Sequence, residues 1–363
     1  MKIVIFSVVG LLVASAASAE SKSTQKWTAY DKAGGKIGDG SQFVEGVSAV
    51  APPPRGYGPE ESPPAINARF GLPPEPDGTI APRTHEAWRR AIRASRETPQ
   101  IAKTAIKHEP VRAKHSTENS AAGSTSSNWS GTSIIGGNTE SIEAVAAMFV
   151  VPTPRVPFGT CDQTYYYSSY WPGIDGNGGA GFNDVLQGGL EIAAICINGI
   201  TSGYTIPWVE WYPAYSVGVS APAMNPGDLV FVEVWNTSPT QGYVFFYNYS
   251  TDSSAEYSVT APPGTVAYGS SVEWIVERPT VGNVLANLAN YVASPWSERV
   301  AWNYANPNPT VYWMGATPDV GTIENLTMVD NTNQPISSVT IEGPNFLWFE
   351  NSGSSCGANQ QPC

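Results

Sequence analysis

Residues Ser271–Pro279 read SVEWIVERP. Along an extended strand successive side chains point to opposite faces. Val272, Trp274 and Val276 therefore share one face, and Glu273, Ile275 and Glu277 share the other. Two glutamates on one face ordinarily mark a surface in contact with water. The flanking apolar and aromatic residues instead suggest a strand inside a large sheet, where a carboxylate would line a cleft.

The same texture runs outward from this stretch. From Asn128 onward, short runs rich in Val, Ile, Trp, Tyr and Phe alternate with Gly, Pro and Asn turns: EAVAAMFVVP, YTIPWVEWYP, LVFVEVWN, YVFFYNYS, TVYWMG and SSVTIEG. Many short strands with turn punctuation predict an all-β domain, an antiparallel sandwich or barrel. One segment, VGNVLANLANYV at 281–292, fits a helix or strands equally.

Charge divides the chain. Residues 20–120 hold 15 Lys/Arg and 12 Asp/Glu, a net of +3. Residues 121–363 hold three arginines (Arg155, Arg278, Arg299), no lysine, no histidine and 19 Asp/Glu, a net of −16. Free Asp and Glu titrate at about 3.9 and 4.3. Near pH 3 such a domain carries almost no charge and escapes the positive self-repulsion that drives acid unfolding. This pattern predicts adaptation to acid.

The chain opens on one lysine, an apolar run of about a dozen residues and Ala17-Ser18-Ala19, the layout of a secretory signal peptide over 1–19. No later segment is long and apolar enough to span a membrane. A secreted protein is expected, periplasmic if the source is Gram-negative, with no membrane or nucleic-acid partner. Cys161, Cys196, Cys356 and Cys363 are disulfide candidates in an exported chain. Sequence neighbours close most cheaply, which favours Cys161–Cys196 with Cys356–Cys363.

Residues 20–83 are rich in Gly, Pro and Ser and read as extended or poorly ordered. Thr84–Glu97 (THEAWRRAIRASRE) predicts a helix capped by Thr84, with Trp88, Ala91, Ile92 and Ser95 on one face and four arginines. Gly123–Ser127 (GSTSS) reads as a linker. The segments expected are thus 1–19, a basic segment 20–120 and a sandwich domain 121–363.

Without histidine the domain can host neither a Ser-His-Asp triad nor a Cys/His dyad, and no Asp-Thr/Ser-Gly pair, phosphate loop or zinc spacing is present. No metal or other cofactor is expected. Carboxylates, amides, hydroxyls and indoles remain, and these can run acid–base chemistry on peptide or glycosidic bonds. They concentrate in SYWPGIDGNG (Trp171, Asp175), DVLQGGLEI (Gln187, Gly189 and Glu191 on one face) and PWVEWYP (Trp208, Glu210 and Tyr212 on one face). Each could be the wet face of a sandwich, or the floor of a groove in which glycines let a ligand approach.

SNWSG (127–131), WPGIDG (171–176), LQGGLE (186–191), WVEWYP (208–213), PGD (226–228) and VEWIVE (272–277) resemble, in order and spacing, the motifs of the glutamic peptidases called eqolisins. The resemblance spans roughly 127–350. It implies a lectin-like (concanavalin-like) β-sandwich with one sheet flooring a substrate groove, and a pepstatin-insensitive acid endopeptidase made as a zymogen. It implies Gln187 and Glu277 as the catalytic pair, with Glu277 preferred over its rival Glu273. Trp129 and Trp171 would border the groove, and Asp175, Glu191, Glu210 and Tyr212 would support the pair or contact substrate.

Glu191 stands where the best-known member has an aspartate, and Arg278-Pro279 replace its Asp-Phe, so subsite shape differs. Polypeptide substrates and the chain's own prosegment are the implied partners, and a monomer is expected. The +3 prosegment would bind the −16 domain at neutral pH and leave as carboxylates protonate, with self-cleavage within 110–127. The rival readings are a non-catalytic sugar-binding module and a glycosidase. Asn128 also begins a glycosylation sequon, where a glycan would crowd the groove.

Overall fold

The chain is described by a computed structural model that covers residues 28–30, 36–41, 44–97, 99, 101–114, 124–136, 141–303, 311–312, 321–342, 346–351, 355–356 and 361–362. The expected signal peptide and the side chains of Cys356 and Cys363 lie outside the described residues. Cys161 and Cys196 are disulfide-bonded, as the spacing favoured.

The sandwich strands are β1 (Trp129–Ile135), β2 (Ala144–Val150), β3 (Tyr165–Ile174), β4 (Val185–Ile197), β5 (Ile200–Tyr212), β6 (Leu229–Ser238), β7 (Gln241–Asn248), β8 (Ser253–Thr260), β9 (Ser271–Glu277), β10 (Ala293–Trp302), β11 (Thr322–Val329), β12 (Pro335–Ile341) and β13 (Leu347–Asn351). One sheet runs in the order β11-β1-β9-β3-β4-β5, every pair antiparallel. The other runs β8-β7-β6-β2-β10-β13-β12. A short pairing of β11 with β12 joins the two sheets along one edge.

The core between the sheets follows from the alternation in the sequence. Val272, Trp274 and Val276 of β9 meet Leu186, Leu190 and Ile192 of β4 and Val230, Val232 and Val234 of β6 in one buried cluster. At about 25 cal/mol per Å² of apolar surface, this burial drives the two sheets together. It also commits the opposite face of β9, with Glu273 and Glu277, to the groove side. Residues 281–292 form short strands (Val284–Leu285, Asn287–Leu288) and no helix.

The N-terminal segment is built into both sheets. Val47–Ala49 pairs with the free edge of β8. Ile101–Thr104 pairs with Val217–Val219, which itself pairs with β5. Between these strands, a helix over Pro82–Arg93 lays Ala87 and Ala91 on the outer face of the second sheet, against Phe231, Trp235, Phe245 and Trp302.

Two expectations, the helix and the linker, are corrected here. The helix starts two residues earlier than predicted and ends at Arg93, with Pro82 in its first turn. Thr84 lies inside it rather than capping it, and its buried face is Thr84, Ala87, Trp88 and Ala91. Among the helix arginines, Arg89 and Arg93 pair with the segment's own Glu60, Arg83 lies 3.8 Å from Glu298 of the domain, and Arg90 sits over the Tyr249 ring of the domain. Beyond the helix, Arg96 makes a buried pair with Glu256 of the domain at 2.6 Å, and His108 lies against Glu210 and Glu191. The helix docks on the sheet through its apolar face, with these charged groups around it. Ser124–Ser126, read as linker, is a strand lying parallel to β11.

Candidate active site

The groove floor is the outward face of β9, β3, β4 and β5. Strand register places Glu277 opposite both Trp129 and Ser169, and Ser169 opposite Glu191. Four residues along β3, Gly173 stands opposite Glu273 on one side and Gln187 on the other, and Gln187 stands opposite Glu210. Trp171 lies between these two rows. A Cβ on Gly189 would come within 2.6 Å of the Trp171 Cβ, and one on Gly173 within 2.8 Å of its ring. Gly173 thus makes room for the Trp171 indole, and Gly189 for the close approach of the β3 backbone at Tyr170 and Trp171.

Gln187, Glu191, Glu210, Glu273 and Glu277 are all fully or almost fully buried. The Trp171 indole N–H donates to Glu277 Oε2 at 2.8 Å, and Trp129 meets Trp171 edge-on with centroids 5.0 Å apart. Burial pushes Glu277 well above the usual carboxylate range; the Trp171 bond opposes this and the nearby Glu191 charge adds to it. Glu191, which accepts from the Ser169 hydroxyl, is pushed up to about 8 by burial. Glu210 is raised well above its ordinary value, by burial first and the Glu277 charge second.

What covers these groups is the N-terminal segment. His108 is fully buried. Its ring stacks on Trp208 at 3.5 Å and 4°, with Nδ1 2.6 Å from Glu210 Oε2 and Nε2 2.8 Å from Ser169 Oγ. Burial holds this imidazole well below its ordinary pKa, so it favours the neutral form. The Gln187 Nε2 amide donates to the His108 carbonyl oxygen at 2.6 Å. The Glu109 backbone N–H donates to Glu277 Oε1 at 3.1 Å. A single peptide group, His108–Glu109, therefore bridges Gln187 and Glu277.

Of the residues singled out in the sequence, the structure brings together Trp129, Trp171, Gln187, Glu191, Glu210 and Glu277. Tyr212 is half-buried and borders a small pocket with Glu109, Pro110, Arg112, Phe182 and Asn183. Asp175 stands apart. Its carboxylate accepts from the backbone N–H groups of Tyr268, Gly269 and Ser270 and from the Ser270 hydroxyl, so it ties down a loop rather than touching the bridging peptide. Glu273 faces the groove and accepts hydrogen bonds from Ser271 and, at 3.4 Å, from Ser133. Asn128 is buried and cannot carry a glycan in this fold; its Nδ2 donates to the carbonyls of Glu109 and Pro110.

Ser169, His108 and Glu109 were not singled out. Alternation with Trp171 in YYYSSYWPGI would have put Ser169 on the groove face. No local pattern marks 108–109.

The site is thus a β-sandwich face on which the chain's own N-terminal segment lies across carboxylates, one amide and indoles. The family model described as the peptidase A4 family matches residues 127–346. The chain belongs to this family, the eqolisins, and is a glutamic peptidase by membership. Among solved structures, scytalido-glutamic peptidase with a transition state analog inhibitor is 20% identical, with 62% of this chain and 98% of that chain covered and a TM-score of 0.48. SCP-B, an eqolisin in complex with the tripeptide Ala-Ile-His, is 17% identical, with 62% and 98% covered and a TM-score of 0.45. Aspergilloglutamic peptidase from Aspergillus niger is 22% identical, with 51% and 99% covered and a TM-score of 0.41. No curated protein matches. Among the described residues no helix is long and apolar enough to cross a membrane.

Proposed function

We propose that this chain is an exported acid endopeptidase that hydrolyses peptide bonds with Gln187 and Glu277, and that residues 20–120 hold it as a zymogen. The observation that carries this reading is the bridging peptide group, with its oxygen on Gln187 and its nitrogen on Glu277. Ionised Glu277 takes a proton from the attacking water. The Gln187 amide donates to the oxygen as it becomes an oxyanion, a contact that strengthens as charge develops. Gln187 Oε1, buried and unpaired among the described residues, can accept from the same water and orient it. The protonated Glu277 then hands its proton to the leaving nitrogen, 3.1 Å away in the bound segment.

An amide does not titrate, so half of the pair works unchanged in acid. Part of the burial that raises Glu277 comes from the segment itself. Once the segment leaves and water enters, the carboxylate returns toward the range suited to a base in acid. The segment inhibits by occupancy, because substrate and residues 108–112 need the same groove. The chain acts as a monomer on polypeptide substrates. Casein hydrolysis at about pH 3, near the ordinary carboxylate range, tests the reading when run with pepstatin present. Sustained hydrolysis supports it, and full inhibition by pepstatin contradicts it.

A further inference from the structure

The segment crosses the groove as a substrate would, bonded along its backbone. Ser216 N–H donates to the Ile106 carbonyl at 2.9 Å, and Lys107 pairs in register with Thr280. The His108 N–H donates to the Glu210 carboxylate at 3.1 Å. Beyond the bridging bond, Asn128 Nδ2 donates to the carbonyls of Glu109 at 3.3 Å and Pro110 at 3.2 Å. The Val111 N–H donates to the Gly176 carbonyl at 3.3 Å, and the Arg112 N–H to Asn128 Oδ1 at 2.9 Å. Contacts on both sides of one peptide bond fix which bond lies over the catalytic pair, and positioning of this kind is what converts a bound peptide into a reactive one.

The side chain on the acyl side is held at its face and at both ring nitrogens. The His108 ring has an indole face beneath it and a polar group at each nitrogen: Glu210 at Nδ1, Ser169 and Glu191 at Nε2. An aliphatic side chain of similar size would lose the ring bonds to Glu210 and Ser169, leaving Glu210 with only the His108 backbone N–H and Ser169 and Glu191 with each other, and lost bonds of this kind give hydrogen-bonding pockets their discrimination.

We propose that His108–Glu109 is the first bond this enzyme hydrolyses, in its own chain, and that Trp208, Glu210, Glu191 and Ser169 form a pocket selecting imidazole on the acyl side of the scissile bond. The proposal rests on the roles given to Gln187 and Glu277 above. Water supplies both atoms of the balance. Its oxygen bonds to the His108 carbonyl carbon, and the bond from that carbon to the Glu109 nitrogen breaks. The bonding pair stays on nitrogen, which takes a proton by way of Glu277. His108 becomes a carboxyl terminus and Glu109 an amino terminus, with no change of oxidation state. The cut falls two residues before the 110–127 stretch expected from charge and composition.

The test is to purify the full chain at neutral pH, shift it to acid, and follow it by intact mass and amino-terminal sequencing under denaturing conditions. In parallel, the acid-activated enzyme is given peptides of the sequence 101–112, unaltered and with His108→Ala. The expected first product pair ends at His108 and begins at Glu109, forms at a rate independent of protein concentration, and is absent from the Glu277→Gln chain. The unaltered peptide should be cut at the same bond at least ~10-fold faster than the His108→Ala peptide, a discrimination within the range of hydrogen-bonding pockets. A first new amino terminus anywhere else, in an enzyme that still digests casein, overturns this inference and leaves the catalytic pair standing. Cleavage at His108–Glu109 that persists in the Glu277→Gln chain overturns both. Equal cleavage of the two peptides overturns the pocket.

Discussion

The indole N–H of Trp171 donates to Oε2 of Glu277 at 2.8 Å, from a strand neighbour whose ring packs against Gly173, where a Cβ would come within 2.8 Å of it. The bond stabilises the charged form of Glu277 and so opposes the upward push of burial. Trp171→Phe keeps most of the ring and loses the N–H. Its acidic limb of kcat/KM should move to higher pH, because the base then protonates sooner as pH falls. The rate at the wild-type optimum should fall by roughly tenfold, the worth of one charge-assisted hydrogen bond. A pH–rate profile of the variant against wild type reads both effects.

Asp175, for which supporting hydrogen bonds or a substrate contact were expected, holds the 268–270 loop. Its backbone has φ 68°, a left-handed conformation that aspartate tolerates better than most residues. Asp175→Ala removes the acceptor of three backbone N–H groups and leaves the strained conformation in place. A loss of about 2–4 kcal/mol of stability is expected, with kcat/KM changed little for the fraction still folded. Denaturant titration set beside peptide kinetics separates the two. A large loss of kcat/KM at unchanged stability would restore Asp175 to the substrate site.

Buried carboxylates set how stability responds to acid. Burial raises Glu191 to about 8 and Asp184 to about 6, against free values of about 4.3 and 3.9. Between those limits the folded chain binds more protons than the unfolded one, so stability rises as pH falls. His108, held neutral by burial, works the other way and weakens the fold as pH drops below about 6.5. Several groups oppose one. The melting temperature of the Glu277→Gln full chain, which cannot cut itself on this account, should climb from pH 8 to pH 4. A monotonic fall over that range would show the carboxylates to be paired as ions instead.

The helix face points to apolar docking. Ala91 is buried against the second sheet, whereas Arg89 pairs with Glu60 of the same segment. Ala91→Glu would force a carboxylate among Phe231, Trp235 and Phe245, at a cost of several kcal/mol. It should make the helix arginines cleavable by trypsin at neutral pH at least ~10-fold faster than in wild type, an effect of the order expected when local opening replaces docking. Arg89→Ala should leave that rate near wild type. The reverse order would return the charge-based explanation.

Much of the floor was legible because a strand has a period of two. Glu277, Gln187, Glu191, Trp208 and Glu210 each share the face that alternation assigned. The order in which strands lie side by side is not local information. β9 pairs with β1, some 140 positions earlier, and only that pairing sets Glu277 beside Trp129 and Ser169. Register alone would also have placed Glu273, not Glu277, in the row of Gln187. The bridging peptide reaches diagonally past Trp171 to Glu277, a geometry that depends on side-chain reach. The N-terminal segment was the least legible part. Its short strands become strands by extending the sandwich edges, and IAKTAIKHEP has too few alternating positions to announce that in isolation.

The central claim is that Glu277 and Gln187 perform the hydrolysis, and peptide turnover at about pH 3 by Glu277→Gln and Gln187→Ala, each freed of the segment by an engineered cut, tests it most directly. Gln187→Ala should lose about 10²–10³ in kcat, the usual consequence of removing an oxyanion donor, and Glu277→Gln should lose essentially all turnover while both remain folded by circular dichroism. Wild-type turnover in Glu277→Gln would contradict the account outright.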